Sequence, residues 1–303
     1  MTTFLPTGTG RIGTTQDFAV PSSGVYGITA VGAAGGEAFL LSTTTVNPGG
    51  AGTSMYGEFA LSGGHTIRFM VGQAGTDAAS MGDRGGGGGG ATFVYNVTTS
   101  TLLLIAGGGG GAGQYTTTTK NANLTANGSA GTLGNFGAGG VAPNGGGAGS
   151  YSGGGGGFVG NGADSSYGKG GLSYANGGTG GLFFNDGGNG GYGGGGGSYA
   201  GGGGGGGYGG GGAGDWSYSG DGGGGGSYNG GLNQTNVALV GTAAGSAEIV
   251  ALNAPPSAPT LVAPADLLEI MASAPLLYDW VFNDPDAGQT QSEFALVRRK
   301  VAQ

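Results

Sequence analysis

Apolar and polar positions alternate in several short stretches of the first hundred or so residues. Tyr26, Ile28 and Ala30 alternate with Val25, Gly27, Thr29 and Val31; Phe59 and Leu61 flank Ala60; Ile67, Phe69 and Val71 oppose Arg68 and Met70. A period of two puts one set of side chains on a single face of an extended strand, so each stretch predicts a half-buried β-strand. Residues 91–95 and 101–106 add two more, and the pattern returns at 237–240 and 247–252, where Ala247, Ile249 and Ala251 alternate with Glu248, Val250 and Leu252. No window keeps the helical period over the roughly ten residues a helix needs, so almost no α-helix is expected. The reading is an all-β sandwich formed by 1–106 plus 236–253.

Between these strands the pattern collapses into glycine. Of the 125 residues at 107–231, 59 are glycine, in runs such as 153–157, 193–197, 201–207 and 222–226. Residues 107–235 therefore read as an insertion into the sandwich. Collagen is excluded because it needs a strict Gly-X-Y register rich in proline. A flexible linker is the simple alternative, since ordering each glycine costs roughly 1–2 kcal/mol of backbone entropy. Linkers, however, seldom carry aromatics, and here Tyr151, Tyr192, Tyr199, Tyr208, Trp216, Tyr218 and Tyr228 recur between the runs. The extended threefold helix has no internal hydrogen bonds, so its peptide groups can pair with neighbours on all sides where no side chain intervenes. A bundle of short polyglycine II passes is predicted, with Gly155, Gly195, Gly204 and Gly224 at positions only glycine fits. The aromatics either cap the ends of such a bundle or contact a receptor or partner.

Composition narrows the function. The net charge is -8 with eight Lys and Arg, too few cations for phosphate-backbone binding, so no nucleic-acid partner is expected. No cysteine is present, and His65 is the single histidine, which reads as a turn residue rather than a ligand. Lys169 lies in a Gly-Lys-Gly string without the hydroxyl residue that a phosphate-binding loop requires. Asp284 and Asp286 before Gly288 lack the rest of a calcium loop and read as a turn. With no acid pair, nucleophile or base in view, no enzyme and no cofactor are expected. The N-terminus has no basic stretch followed by an apolar segment, and the longest strongly apolar run, 102–106, cannot span a bilayer. Neither export by a signal peptide nor membrane insertion is expected.

After the strands, residues 254–259 form a proline-rich linker, and 260–303 begin another β unit, in which Leu276, Tyr278, Trp280 and Phe282 share one apolar face. Some 45 residues make only a fraction of a sandwich, which takes about 100. The exposed face is a candidate oligomer contact.

The strings VPSSGVYGITAVGAAGG (20–36), GEFALSGGHTIRFMVGQAG (57–75), GGGGGGATFVY (85–95), LLLIAGGGGGAG (102–113) and GSAEIVAL (245–252) resemble the extracellular glycine-rich domain of the anaplastic lymphoma kinase and leukocyte tyrosine kinase receptors. That resemblance implies a tumour-necrosis-factor-like β-sandwich carrying packed polyglycine II helices; receptor signalling does not transfer without a kinase. PSAPTLVAPAD (256–266) and DWVFNDPDAGQTQSEFALVRR (279–299) resemble the start of fibronectin-type repeats in minor tail proteins of siphophages infecting actinobacteria. This second resemblance implies a structural and binding component of a phage tail tip or fibre, assembled in the host cytoplasm into the virion. The expected partners are a homotrimer of this chain, other tail-tip proteins and a glycan or protein of the host envelope. A bacterial surface or secreted glycine-rich adhesin, or a soluble receptor-like binding module, is the alternative.

Overall fold

A computed structural model describes residues 1–40, 45–79, 84–114, 120–215, 220–238, 244–252, 260–262 and 279–281. The chain divides into two units, Met1–Ala251 and Leu252–Gln303. Among the described residues twelve strands fall in the first: β1 (Thr2–Phe4), β2 (Gln16–Ala19), β3 (Gly24–Val31), β4 (Ala38–Leu40), β5 (Thr45–Asn47), β6 (Thr53–Leu61), β7 (Thr66–Met70), β8 (Thr92–Asn96), β9 (Thr101–Ala106), β10 (Tyr228–Asn229), β11 (Leu232–Ala238) and β12 (Ser246–Ala251). The second unit contributes β13 (Thr260–Val262) and β14 (Asp279–Val281), an antiparallel pair with Leu261 opposite Trp280. Among the described residues the sole helical element is one 3₁₀ turn, Tyr174–Asn176.

Two five-stranded antiparallel sheets make the sandwich, in the orders β1-β12-β3-β6-β11 and β10-β9-β8-β7-β2. The predicted alternation sets the inner faces. Tyr26, Ile28 and Ala30 of β3, Met55, Phe59 and Leu61 of β6, and Ala247 and Ile249 of β12 meet Ile67 and Phe69 of β7 with Val94, Leu104 and Ala106 in one buried cluster. Phe4 stacks on Phe69 between the sheets, ring centroids 4.1 Å apart. The second sheet is buried on its outer face too: Met70, Phe93 and Ile105 form a separate cluster with Tyr192. That explains why 101–106 reads as one apolar run rather than an alternation. A register shift between Val94 and Tyr95 leaves Leu103 out of the β8–β9 ladder, and its carbonyl accepts from Gly230 N–H at 3.0 Å instead.

The glycine-rich region covers that outer face, and its hydrogen bonds repeat every three residues. Along 202–208, the amides of Gly202, Gly205 and Tyr208 donate to Gly220, Gly223 and Gly226; those of Gly203 and Gly206 donate to Gly86 and Gly89; those of Gly204 and Gly207 donate to Gly153 and Gly156. Carbonyls of the same pass accept from three further segments, at Gly108 and Gly111, Gly211 and Gly214, and Gly196. One pass thus has six hydrogen-bonded neighbours, the hexagonal arrangement that a threefold extended helix with bare backbones permits. The pass at 85–91 is bonded alike: amides 85, 88 and 91 reach 199, 196 and 193, amides 86 and 89 reach 112 and 109, and amides 87 and 90 reach 76 and 73.

Two boundaries differ from the sequence reading. Segments within 1–106, the stretch assigned to the sandwich, are passes of the same bundle, around 33–36, 50–53, 73–76 and 85–91. The bundle is therefore built jointly by the loops and the insertion, because a buried glycine backbone must find partners wherever they lie in sequence. The sandwich also resumes at Tyr228 rather than 236, since β10 and most of β11 precede that residue. β11 is Leu-Asn-Gln-Thr-Asn-Val-Ala, largely exposed, so it has no apolar face to betray it. Of the expected apolar face in the second unit, Leu276, Tyr278 and Phe282 lie outside the described residues, as do the Asp284 and Asp286 turn and the 254–259 linker.

Candidate functional site

Each of the four glycines singled out as lattice positions is buried between other backbones. A Cβ added at Gly155, Gly195, Gly204 or Gly224 would meet the carbonyl oxygen of Gly205, Gly88, Gly211 or Asn121 respectively, well inside the 3.0 Å that real Cβ atoms respect. Where a pass ends, polar side chains replace lattice partners. The hydroxyl of buried Ser198 accepts from Gly188 N–H at 2.7 Å, and that of Ser227 donates to the Asn123 carbonyl at 2.7 Å and accepts from Gly107 N–H at 3.1 Å. Asn and Asp carboxamides and carboxylates close the turns: Asn161 Oδ1 accepts from Ser173 N–H, Asn127 Oδ1 from Ala142 N–H, and Asp164 Oδ1 from Gly170 N–H. Lys120 and Asp221 form an ion pair at 3.3 Å within the lattice, and the ammonium also donates to Pro48 O at 2.9 Å.

The serines lead directly into aromatics, and the aromatics separate into two clusters. Phe158, Tyr174, Tyr208 and Tyr228 lie with Tyr192 over Phe93 and Ile105 of the second sheet. Phe158 stacks on Tyr174 at 5.2 Å, and Tyr208 meets Tyr228 at 5.2 Å. The other cluster joins Tyr151 to Tyr167 at 4.8 Å, Tyr167 to Tyr199 at 5.5 Å, and Phe184 edge-on to Tyr167 and Tyr199 at 5.1 and 5.8 Å. The chain alternates between them. The pass at 152–157 runs from Tyr151 to Phe158, that at 168–173 from Tyr167 to Tyr174, and that at 201–207 from Tyr199 back to Tyr208. At ~3.1 Å per residue, passes of six or seven residues separate the clusters by about 19–22 Å. One aromatic cluster is thus a floor on the sheet and the other a cap at the far end of the bundle.

The far cap offers rings to solvent: Tyr167 is 38% and Phe184 47% exposed, with Leu182 and Phe183 preceding Phe184 in the chain. The Arg84 guanidinium sits over the Tyr199 ring at 4.5 Å, and its Nε donates to the Asn185 carbonyl at 2.8 Å. Asn185 and Asp186 take positive φ values of 46° and 70°, turning the chain tightly beside Phe184. The floor is different. Burial pushes the Tyr174 hydroxyl up to about 12, against the opposing pull of Arg68, and burial also raises Tyr192, so both rings are neutral at physiological pH.

The sequence-predicted contact residues therefore divide. Tyr151 and Tyr199 stand in the far cap. Tyr208 and Tyr228 pack against the floor cluster. Tyr192 is 3% exposed, so it is core and not a receptor contact. Trp216 and Tyr218 lie outside the described residues. Tyr167, Phe184 and Arg84 were not singled out, although the strict alternation of aromatics with glycine runs would have assigned Tyr167 to the end opposite Tyr174. His65 sits in a turn and contacts the Asn96 carboxamide at 3.1 Å, and Lys169 pairs with Asp164 at 3.0 Å. Among the described residues no cluster of His, Cys, Asp or Glu could hold a metal ion, and no helix is long and apolar enough to cross a membrane. No protein-family model and no curated protein matches the chain. What the exposed cap can do is stack, hydrogen-bond and fill a complementary hollow.

Proposed function

We propose that this chain is a structural and binding component of a bacteriophage tail tip or tail fibre, in which the glycine bundle is a stiff spacer and the far aromatic cap meets a glycan or protein of the host envelope. The observation that carries this reading is the aromatic cluster at the end of the bundle remote from the sandwich, in which exposed Tyr167 and Phe184 pack with half-buried Tyr151 and Tyr199. Aromatics held on a rigid scaffold supply contact area at little entropic cost. The resemblance of 256–266 and 279–299 to tail-protein repeats supports the virion setting. In that setting the protein works as a homotrimer with other tail-tip proteins.

Antibodies raised against the full chain should decorate one end of the tail in immunogold electron micrographs of particles from cells carrying the gene. Mass photometry of the purified protein should give the trimer mass. Labelling of the bacterial surface with none on particles would replace this reading with the adhesin alternative.

A further inference from the structure

The six Asn-Gly pairs of the chain, beginning at Asn127, Asn144, Asn161, Asn176, Asn189 and Asn229, are chemically alike in sequence but not in the fold. In five of them the glycine amide is already a hydrogen-bond donor: Gly128 to Gly140 at 3.0 Å, Gly162 to Gly171 at 2.9 Å, Gly177 to Tyr174 at 3.1 Å, Gly190 to Gly181 at 2.9 Å and Gly230 to Leu103 at 3.0 Å. In the same five the asparagine side chain is also engaged. Asn127 and Asn161 accept backbone amides, Asn176 donates to Asn161, Asn189 accepts from Phe183 N–H, and Asn229 donates to Tyr56 O.

Asn144 is the exception on both counts. Its backbone amide donates to Val141 O at 3.0 Å and its carbonyl accepts from Gly210 N–H at 3.0 Å, which fixes the turn. Among the described residues its exposed carboxamide has no hydrogen-bond partner and the amide of half-buried Gly145 has no acceptor. The carboxamide carbon and the nucleophile that attacks it are both left uncommitted, at a turn that joins two lattice passes.

We propose that Asn144 is the chain's site of spontaneous deamidation, with water as the co-reactant. Water or hydroxide removes the Gly145 amide proton, and the nitrogen attacks Cγ of Asn144. The new N–Cγ bond forms as the Cγ–Nδ2 bond breaks, and the side-chain nitrogen leaves as ammonia after taking up a proton. One water then opens the succinimide at either carbonyl, giving aspartate or isoaspartate, so the net change is one water gained and one ammonia lost. Both products add a negative charge to this turn, and isoaspartate also lengthens the backbone between Val141 and Gly145.

Peptide mapping by mass spectrometry of the full-length protein, aged at mildly alkaline pH, tests this. Conversion at Asn144 should run roughly tenfold or more ahead of the other five pairs, whose amides must first be released by local opening. Asn176, whose neighbouring Gly177 amide is held by one 3₁₀-type bond in an exposed turn, should follow. In denaturant all six should convert at comparable rates, because the fold no longer distinguishes them. Asn144→Gln, a change at an exposed side chain without partners, should remove the fast signal and leave the melting temperature unmoved. Equal rates at several pairs in the folded protein, or the same lead for Asn144 in denaturant, would overturn the assignment.

Discussion

At the scale of single residues, the lattice glycines and the floor tyrosines make opposite demands. Gly204 leaves no room for a Cβ beside Gly211 O and Gly155 N, so Gly204→Val must push neighbouring backbones away and strand their peptide groups. Its denaturation midpoint should fall by an amount equivalent to about 4 kcal/mol or more, or the chain should fail to fold. The paired control is Gly64, whose φ of +85° demands a left-handed residue but whose missing Cβ faces open space. Gly64→Asn should cost only a few tenths of a kcal/mol, since Asn tolerates that conformation. Tyr174 shows the other demand, that of a hydroxyl kept from water. Its folded value of about 12 lies above the ordinary 10.0. The folded state therefore holds the proton more tightly, and the stability this provides is whole below pH about 10 and is lost as the pH rises towards about 12. A melting series should be flat up to pH 9 and fall beyond pH 10, with Tyr174→Phe reducing the slope and Tyr192 accounting for some of the remainder.

At the scale of elements, the strands were legible where the alternation ran long enough to show an inner face, and not where the strand was short or polar. β3, β6, β7 and β12 carry the alternation that the Tyr26, Phe59, Ile67 and Ile249 positions display. β1, β2 and β11 are edge strands, short or polar, and their pairing depends on partners distant in sequence, such as Thr2 with Ile249 and Val237 with Ser54. The aromatics of the glycine region were legible as a set. Their division between floor and cap was not, because it depends on counting passes whose ends only the fold defines. That division has a measurable consequence. Phe93 is fully buried beneath the floor cluster, whereas Phe184 is 47% exposed in the cap. Phe93→Ala should destabilise by about 3–5 kcal/mol and Phe184→Ala by less than about 1 kcal/mol in chemical denaturation. Equal losses would mean that the cap is as structural as the floor.

At the scale of the whole unit Met1–Ala251, the two halves are stabilised by different physics but share one set of passes. The sandwich excludes water from apolar side chains, and the bundle has almost none to exclude; its cohesion is backbone hydrogen bonding between segments remote in sequence. The pass at 202–208 alone draws on segments near 86, 108, 153, 196, 211 and 220. No single pass can open without unpairing peptide groups on several neighbours, so opening must be cooperative although each bond contributes only about 1 kcal/mol. Because 33–36, 50–53, 73–76 and 85–91 continue directly from sandwich strands, loss of the bundle should loosen the sandwich as well. Hydrogen exchange of the full chain reads this out. Amides at 86–90, 108–112 and 203–206, each in a pass surrounded by others, should exchange as slowly as those of β6 and β8, and should be released together as denaturant is raised. Amides at 128–140, on passes that carry the exposed Leu133 and Phe136, should be released earlier. Central glycine amides that exchanged within the dead time while β6 stayed protected would show that the bundle is not cooperative with the sandwich, and would return the glycine runs to the status of linkers.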